Sequence, residues 1–148
     1  MAFHLLRILL FITSFIIFGI GLSFYILGPD ITFGLLLESA QPLVKSPLKI
    51  SDMGTPNVDG EIRSLAPFLI GYGVLVYLAA KHLRTHIYYV PHLMIVFFAS
   101  GIGRMISFMT QDDPHPFFVL LLGVELGTPV IILLVYKAVV AKVESQQS

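Results

Sequence analysis

Four long apolar stretches dominate the sequence and restrict the chain to few folds. They run from about 8 to 27, 62 to 80, 87 to 109 and 117 to 140. A bilayer core about 30 Å thick needs roughly 20 mostly apolar residues per helix, so each stretch is long enough to cross it. Only 12% of the residues are charged, about half the share in soluble domains. We therefore expect an all-α, integral membrane four-helix bundle forming a single domain over residues 1–148.

The first stretch must be distinguished from a cleaved signal peptide, because Arg7 precedes an apolar run. The apolar region of a signal peptide is about 7–15 residues long and ends at a small-x-small cleavage site. This run is longer, and Gly28-Pro29-Asp30 follows it. We therefore expect an uncleaved helix.

Basic residues are unevenly distributed over the connections. Lys81 and Arg84 lie in the short connection 81–86, which has no acid, whereas the connection 111–116 has no Lys or Arg. Because Lys and Arg concentrate in cytoplasmic loops, we predict that the N and C termini are cytoplasmic. Lys45 and Lys49 weaken this contrast, since their loop would lie outside.

That outer loop covers about residues 28–60 and is the largest segment outside the spans. Its stretch 31–37 is apolar but too short to span, so we expect a helix on the outer interface or over the bundle. The stretch 46–59 contains prolines and a glycine and is expected to be irregular.

Two ionisable residues lie well inside the apolar stretches, Arg104 in the third and Glu125 in the fourth. A charge in hydrocarbon is costly unless a partner or water reaches it. A short connection makes these two helices antiparallel neighbours. With a rise of about 1.5 Å per residue, Arg104 lies about 9 Å from the end of its helix and Glu125 about 12 Å from the start of its own. The matching depths predict an Arg104–Glu125 ion pair facing the bundle interior.

The start of the second span brings further charges to the same side of the bundle. We expect Asp59 to be the N-cap, Glu61 to lie in the first turn and Arg63 to lie slightly deeper. Two acids and two arginines would then share one polar layer, consisting of Glu61, Arg63, Arg104 and Glu125.

Two prolines increase the polarity expected of this layer. Pro67 lies four residues after Arg63, and Pro129 lies four after Glu125. A proline has no N–H to offer the carbonyl four residues earlier. The carbonyls freed in this way need side chains or water as partners, so the layer should be hydrated.

Hydroxyl groups lie near both charges of the predicted pair. Ser100 and Ser107 share the helix face of Arg104, and Thr128 lies three residues after Glu125. We expect these hydroxyls to bind the pair or a ligand. Small residues at a spacing of four should allow close helix approach; they are Gly19-x-x-x-Ser23, Gly103-x-x-x-Ser107, Gly123-x-x-x-Gly127 and, at a shorter spacing, Gly71-x-Gly73.

Other functional patterns are weak. His82, His86 and His92 fit a basic interfacial connection better than a metal site, and Asp112-Asp113-Pro114-His115 fits a rigid turn. The absence of cysteine excludes thiolate zinc sites and disulfides. No G-x-S-x-G, H-E-x-x-H or P-loop pattern occurs. We therefore expect no metal, no cofactor and no catalytic residue, and the zero net charge gives no reason to expect nucleic acid.

The order of these residues resembles a known family. Glu61-x-Arg63, Gly71-x-Gly73, Gly101-x-Gly103-Arg104-x-x-Ser107 and Glu125 together look like the small bacterial four-helix membrane proteins grouped as domain of unknown function 4345. The resemblance covers nearly the whole chain and extends more distantly to DoxX-like four-helix proteins. It implies a four-helix bundle in the bacterial inner membrane, and it implies no activity. The outer loop is longer here than in that family pattern.

Three functions remain open at this point. The first is a non-catalytic protein in which Arg104 and Arg63 bind a lipid head group or small amphiphile while Glu61 and Glu125 balance their charge. The second is a structural or accessory subunit that packs against a larger membrane-protein partner, with the Arg104–Glu125 pair as an internal strut. The third is a small membrane enzyme acting on a lipid-like substrate, with Glu125 or Glu61 as acid or base. An enzyme would need a cavity open to the bilayer with a carboxylate at its end.

Overall fold

The computed structural model describes residues 2–44, 50, 53–110 and 114–144, and within them every regular element is a helix. The helices are α1 (Ala2–Leu27), α2 (Pro29–Ala40), α3 (Pro56–Lys81), α4 (Leu83–His86), α5 (Tyr89–Thr110) and α6 (Pro116–Glu144). Among these, α1, α3, α5 and α6 are long and apolar enough to cross a membrane. The predicted all-α fold with four membrane-capable helices is therefore confirmed. The orientation of the termini stays a prediction.

The helix α1 is the centre of the packing, and its closest neighbour is α3. A side chain added at Gly73 would come within 2.9–3.1 Å of the backbone and Cβ of Phe18, and one added at Gly21 would meet Ile70 at about the same distance. The buried Ser14 hydroxyl donates a 3.0 Å hydrogen bond to the Gly73 carbonyl. Glycine at these two positions therefore allows the two backbones to approach and a polar contact to form between them.

One end of the bundle, which we call the basic end, contains the start of α1, the α3–α4–α5 connection and the last turns of α6. Its interior is a continuous apolar core with no buried polar side chain among the residues that form it. The core residues are Leu6, Leu10, Val76, Ala80, Leu83, Val90, Met94, Ile132 and Val139. Dispersion contacts and apolar burial hold this end together.

The opposite end, which we call the loop end, is covered by α2. The Phe33 ring contacts Phe24 at 5.1 Å, Phe118 at 5.6 Å and Phe117 at 6.4 Å between centroids, so α2 bridges α1 and α6. The Thr32 side chain is buried and shares a 2.8 Å hydrogen bond with Ser23 of α1. The apolar stretch 31–37 thus belongs to a helix packed over the bundle.

The boundaries of α3 differ from the sequence-based expectation. This helix begins at Pro56, after the N-cap Thr55, and not near Ile62. Asp59 therefore lies in the first turn, and its prediction as N-cap was wrong. Proline at the first helical position has a suitable φ angle and loses no hydrogen bond there, which explains the earlier start. The part of the predicted irregular stretch that falls on 46–49 and 51–52 lies outside the described residues, as do Lys45 and the turn acids Asp112 and Asp113.

Both internal prolines lie within continuous helices. Pro67 is inside α3 and Pro129 is inside α6, where it is fully buried. Packing of α6 against its neighbours on this side supports the helix through the position where one backbone hydrogen bond is missing.

Candidate functional site

Arg104 of α5 and Glu125 of α6 form a bidentate ion pair. Arg104 Nε donates to Glu125 Oε2 at 2.8 Å, and Arg104 Nη2 donates to Glu125 Oε1 at 2.6 Å. The side chains are 25% and 15% exposed. The guanidinium also lies 5.5 Å from the centre of the Phe118 ring. Parallel hydrogen bonds of this kind are stronger and more directional than a single contact, and partial burial limits their screening by solvent.

Gly101 allows α6 to come close enough for this pair. A Cβ at Gly101 would lie 2.6 Å from Leu126 Cδ2 and 3.2 Å from Glu125 Cβ. Since Gly101 lies three residues before Arg104, it is on nearly the same face of α5. The absent side chain therefore leaves the space in which the guanidinium and the carboxylate meet.

Most glycines of the predicted small-residue motifs do not make such contacts. A side chain added at any of five glycines would meet no atom within 4 Å; these are Gly19, Gly71, Gly103, Gly123 and Gly127. The close approaches occur instead at Gly21, Gly73 and Gly101. Spacing alone does not fix which face of a helix turns toward its neighbour. The predicted contacts at these five glycines were therefore wrong, whereas the contact predicted at Gly73 is present.

Arg63 belongs to a separate site. Its Nε donates to Asp59 Oδ2 at 2.7 Å, and its Nη1 donates to the carbonyls of Tyr25 at 2.8 Å and Ile26 at 3.2 Å. The last carbonyls of a helix have no partner within the helix, and a cation at that end is favoured. Arg63 therefore caps α1 and ties it to α3, and its predicted role beside Arg104 was wrong.

Gly28 completes this cap. It has a φ of 82°, and a Cβ there would lie 2.4 Å from Arg63 Nη2 and 2.8 Å from Asp59 Oδ1. Glycine accepts this backbone conformation without strain, and it leaves room for the guanidinium. The chain can therefore turn from α1 into α2 directly beside the Arg63–Asp59 pair.

The other predicted site residues are dispersed. Glu61 is exposed at the start of α3, and its backbone carbonyl accepts a hydrogen bond from Ser64. The Ser100 hydroxyl donates to the Phe97 carbonyl of its own helix. Ser107 is half-buried, and Thr128 lines a shallow groove on the outside of α6 beside Gly123 and Gly127. Of the seven predicted residues, Arg104 and Glu125 form a pair, and Ser100 lines a cleft together with Glu125.

A lateral cleft of about 420 Å³ adjoins the ion pair. It lies where α3 and α5 barely touch, and α1 closes its back. Glu125 and Ser100 supply polar groups, whereas the Tyr72 hydroxyl already donates to the Leu93 carbonyl of α5. The remaining lining is apolar: Ile17, Leu65, Phe68, Leu69, Val96 and Phe97. Sequence reasoning missed these residues because a cleft wall and a lipid-facing surface have the same composition.

The site offers little to a metal ion. Among the described residues, no three histidine or acidic side chains come together. Glu125 is the only carboxylate lining the described part of the cleft, and both of its oxygens accept from Arg104. The arrangement is suited to binding a polar group beside an apolar one.

Four membrane-capable helices and a charged pair between two of them define a helical membrane protein. More specifically, the chain belongs to a family described as a domain of unknown function (DUF4345), whose model matches residues 5–136. This match includes every residue on which the resemblance in sequence was based and confirms that prediction. No curated protein and no solved structure matches the chain significantly. The more distant likeness to DoxX-like proteins stays a prediction.

Proposed function

We propose that this protein is a non-catalytic membrane protein that binds a small amphiphile or lipid. The apolar part of the ligand occupies the cleft between α3 and α5, and its polar group contacts Glu125, Arg104 and Ser100. The observation that carries the proposal is the cleft itself, whose described lining is apolar except for Glu125 of the ion pair, Ser100 and the Tyr72 hydroxyl. Its volume of about 420 Å³ is within the range of about 300–1,000 Å³ for ligand pockets.

The charge state of the pair narrows the ligand class. Glu125 uses both carboxylate oxygens to bind Arg104, so the pair is neutral as a unit. An anionic ligand would have to displace Glu125 and leave a buried carboxylate without its partner, which is costly. An uncharged or zwitterionic polar group can instead hydrogen-bond to the pair from outside. We therefore favour a ligand with no net charge near Arg104, and Arg63 and Glu61 have no part in binding it.

We propose the bacterial inner membrane as the location, with both termini cytoplasmic. The family resemblance implies this membrane, and the Lys and Arg content of the connection 81–86 supports the orientation. In this orientation the loop end faces outward, and the cleft opens sideways into the bilayer.

Mass spectrometry of protein purified in mild detergent tests the proposal. Val96 lines the cleft, whereas its neighbour Ile95 does not, and both are about 60% exposed. We expect a co-purifying amphiphile in the wild-type protein and in Ile95→Trp, and its loss in Val96→Trp, because the indole fills the cleft. Both variants should remain folded. Absence of any bound amphiphile from the wild type, or equal retention by the two variants, would contradict the proposal.

A second candidate function is a structural or accessory subunit with Arg104–Glu125 as its internal strut. The bidentate geometry and partial burial of the pair favour this structural role. It predicts that wild-type protein carries no ligand and that Arg104→Ala simply unfolds. The enzyme hypothesis required a cleft with a carboxylate, and such a cleft is present. Of the two carboxylates that it named, however, Glu125 is bound by Arg104 and Glu61 does not line the cleft, so neither is a free acid or base there.

A further inference from the structure

A second pocket lies at the basic end, far along the helices from the Arg104–Glu125 pair. It has a volume of about 330 Å³ and forms between the first two turns of α1 and the junction of α3 with α4. Arg7 comes from α1, and Lys81, His82 and Arg84 come from the junction. Cationic side chains from two separate parts of the chain therefore converge on one concave surface.

Among residues 2–44, 53–110 and 114–142, no carboxylate pairs with these cations. Two of the four arginines, Arg63 and Arg104, form ion pairs with Asp59 and Glu125, and both pairs lie outside the basic end. The acidic side chains of the residues in these ranges all belong to α2, the first turns of α3 or the loop-end half of α6: Asp30, Glu38, Asp59, Glu61 and Glu125. The pocket is therefore a local region of positive potential.

Aromatic contacts hold two of the cations in place. The Arg7 guanidinium lies 5.5 Å from the centre of the Phe11 ring, and the Lys81 ammonium lies 5.9 Å from the centre of the Tyr77 ring. A cation over a ring face is attracted to the ring and retains N–H donors for another partner. The two side chains are thus positioned without being neutralised.

The backbone beneath the pocket is also fixed. Leu6 and Ala80 are fully buried in the apolar core, and Leu83 is nearly so. The His82 carbonyl accepts hydrogen bonds from the Thr85 and His86 N–H groups and from the Thr85 hydroxyl. An ordered pocket loses less conformational entropy when a ligand binds, which favours affinity.

From this arrangement we infer that the basic-end pocket binds a phosphate group. Guanidinium groups match phosphate oxygens with paired hydrogen bonds, and a lysine adds a compact positive charge. Arg7, Arg84 and Lys81 supply these groups together. Basic pockets between membrane helices on the cytoplasmic side bind phosphorylated lipid head groups, and the proposed orientation puts the basic end on that side. The same chemistry suits a free phosphate. The inference is independent of the amphiphile proposed for the lateral cleft.

Binding of short-chain phosphatidic acid to protein in an uncharged detergent tests this inference, with short-chain diacylglycerol as the neutral comparison. We expect phosphatidic acid to bind in native mass spectrometry and diacylglycerol not to bind. Arg7→Ala and Arg84→Ala should each weaken binding about tenfold, the loss expected for one charged hydrogen bond. Arg84→Lys should weaken it less, because the charge remains.

Lys137→Ala is the matched control, since Lys137 is an exposed cation of α6 that does not line the pocket. It should leave the affinity within about twofold. Displacement of the lipid by inorganic phosphate would show that a free phosphate is sufficient for binding. Failure of phosphate to displace the lipid would assign the site to a lipid head group. Both results support recognition of a phosphate group. The inference is overturned if neither phosphatidic acid nor phosphate binds, or if Lys137→Ala weakens binding as much as Arg84→Ala.

Discussion

The two ends of the bundle use arginine in opposite ways. The chain has four arginines, two at each end. At the loop end Arg63 and Arg104 each bind a carboxylate, and each joins two helices. At the basic end Arg7 and Arg84 have no carboxylate partner among the described residues, and a large apolar core packs the helices instead. Where apolar packing suffices, the cations remain available to a ligand.

The loop end depends on polar contacts because its apolar cluster is small. The buried members of that cluster are Leu37, Ala40 and Phe117, whereas nine residues form the core at the basic end. Charge pairs, a hydroxyl pair and the cap on α1 supply the remaining attachments. Removing a charge at the loop end should therefore lower the stability of the protein. Removing a charge at the basic end should leave the stability nearly unchanged.

The largest effect is expected from charge reversal in the Arg104–Glu125 pair. Arg104→Glu places two carboxylates together, and Glu125→Arg places two guanidiniums together. Each single variant should lose about 3 kcal/mol or more of stability, because an unpaired charge remains partly buried. The double variant Arg104→Glu/Glu125→Arg should recover most of it. Thermal unfolding in detergent measures the three changes, and a double variant no better than the single ones would argue against direct pairing.

A smaller effect is expected at the turn after α1. Gly28→Ala adds a Cβ at positive φ and pushes against the Arg63 guanidinium, which should cost about 1–3 kcal/mol. Gly34→Ala is the matched control in α2, where an added Cβ meets no atom within 4 Å. Alanine is favoured over glycine in a helix by up to about 1 kcal/mol, so this variant should be neutral or stabilising. Unfolding temperatures that fall equally in both variants would contradict the role assigned to Gly28 in the turn.

The smallest effect is expected where α2 is attached by hydroxyl groups. Ser23→Ala removes the partner of the buried Thr32 hydroxyl and should cost about 1 kcal/mol. Ser39→Ala removes an exposed hydroxyl that bonds only to its own helix and should change stability by less than about 0.5 kcal/mol. Hydrogen exchange of the α2 amides measures the difference locally. Equal protection of α2 in both variants would show that the Ser23–Thr32 contact does not hold this helix.

The sequence predicts the helices well because membrane-capable length and apolarity are local properties. It also brings Arg104 and Glu125 to matching depths by simple counting along two antiparallel helices. The partners of Arg63 could not be predicted in this way, because they depend on where α1 ends and on the extra turns at the start of α3. Counting places residues along a helix but does not determine which helix end lies beside them.

Contacts across the bundle were harder to predict for a related reason. Gly21 and Gly101 permit close approach, whereas Gly19 and Gly103, two residues away on the same helices, do not. Two residues correspond to about 200° around a helix, so the glycines of each pair lie on nearly opposite faces. The cleft beside Tyr72 exists because α3 and α5 lie apart. The distance between two helices cannot be predicted from the sequence of either helix alone. The basic pocket likewise requires Arg7 and Arg84, which are far apart in the sequence, to line the same surface.

Unfolding temperatures of four single variants, measured in one detergent without added phosphate, test the contrast between the two ends most directly. The variants are Arg7→Ala, Arg63→Ala, Arg84→Ala and Arg104→Ala. We predict the largest decrease for Arg104→Ala and a smaller one for Arg63→Ala. The two basic-end variants should remain within about 0.5 kcal/mol of the wild type. A decrease for Arg7→Ala or Arg84→Ala as large as that for Arg104→Ala would contradict the account.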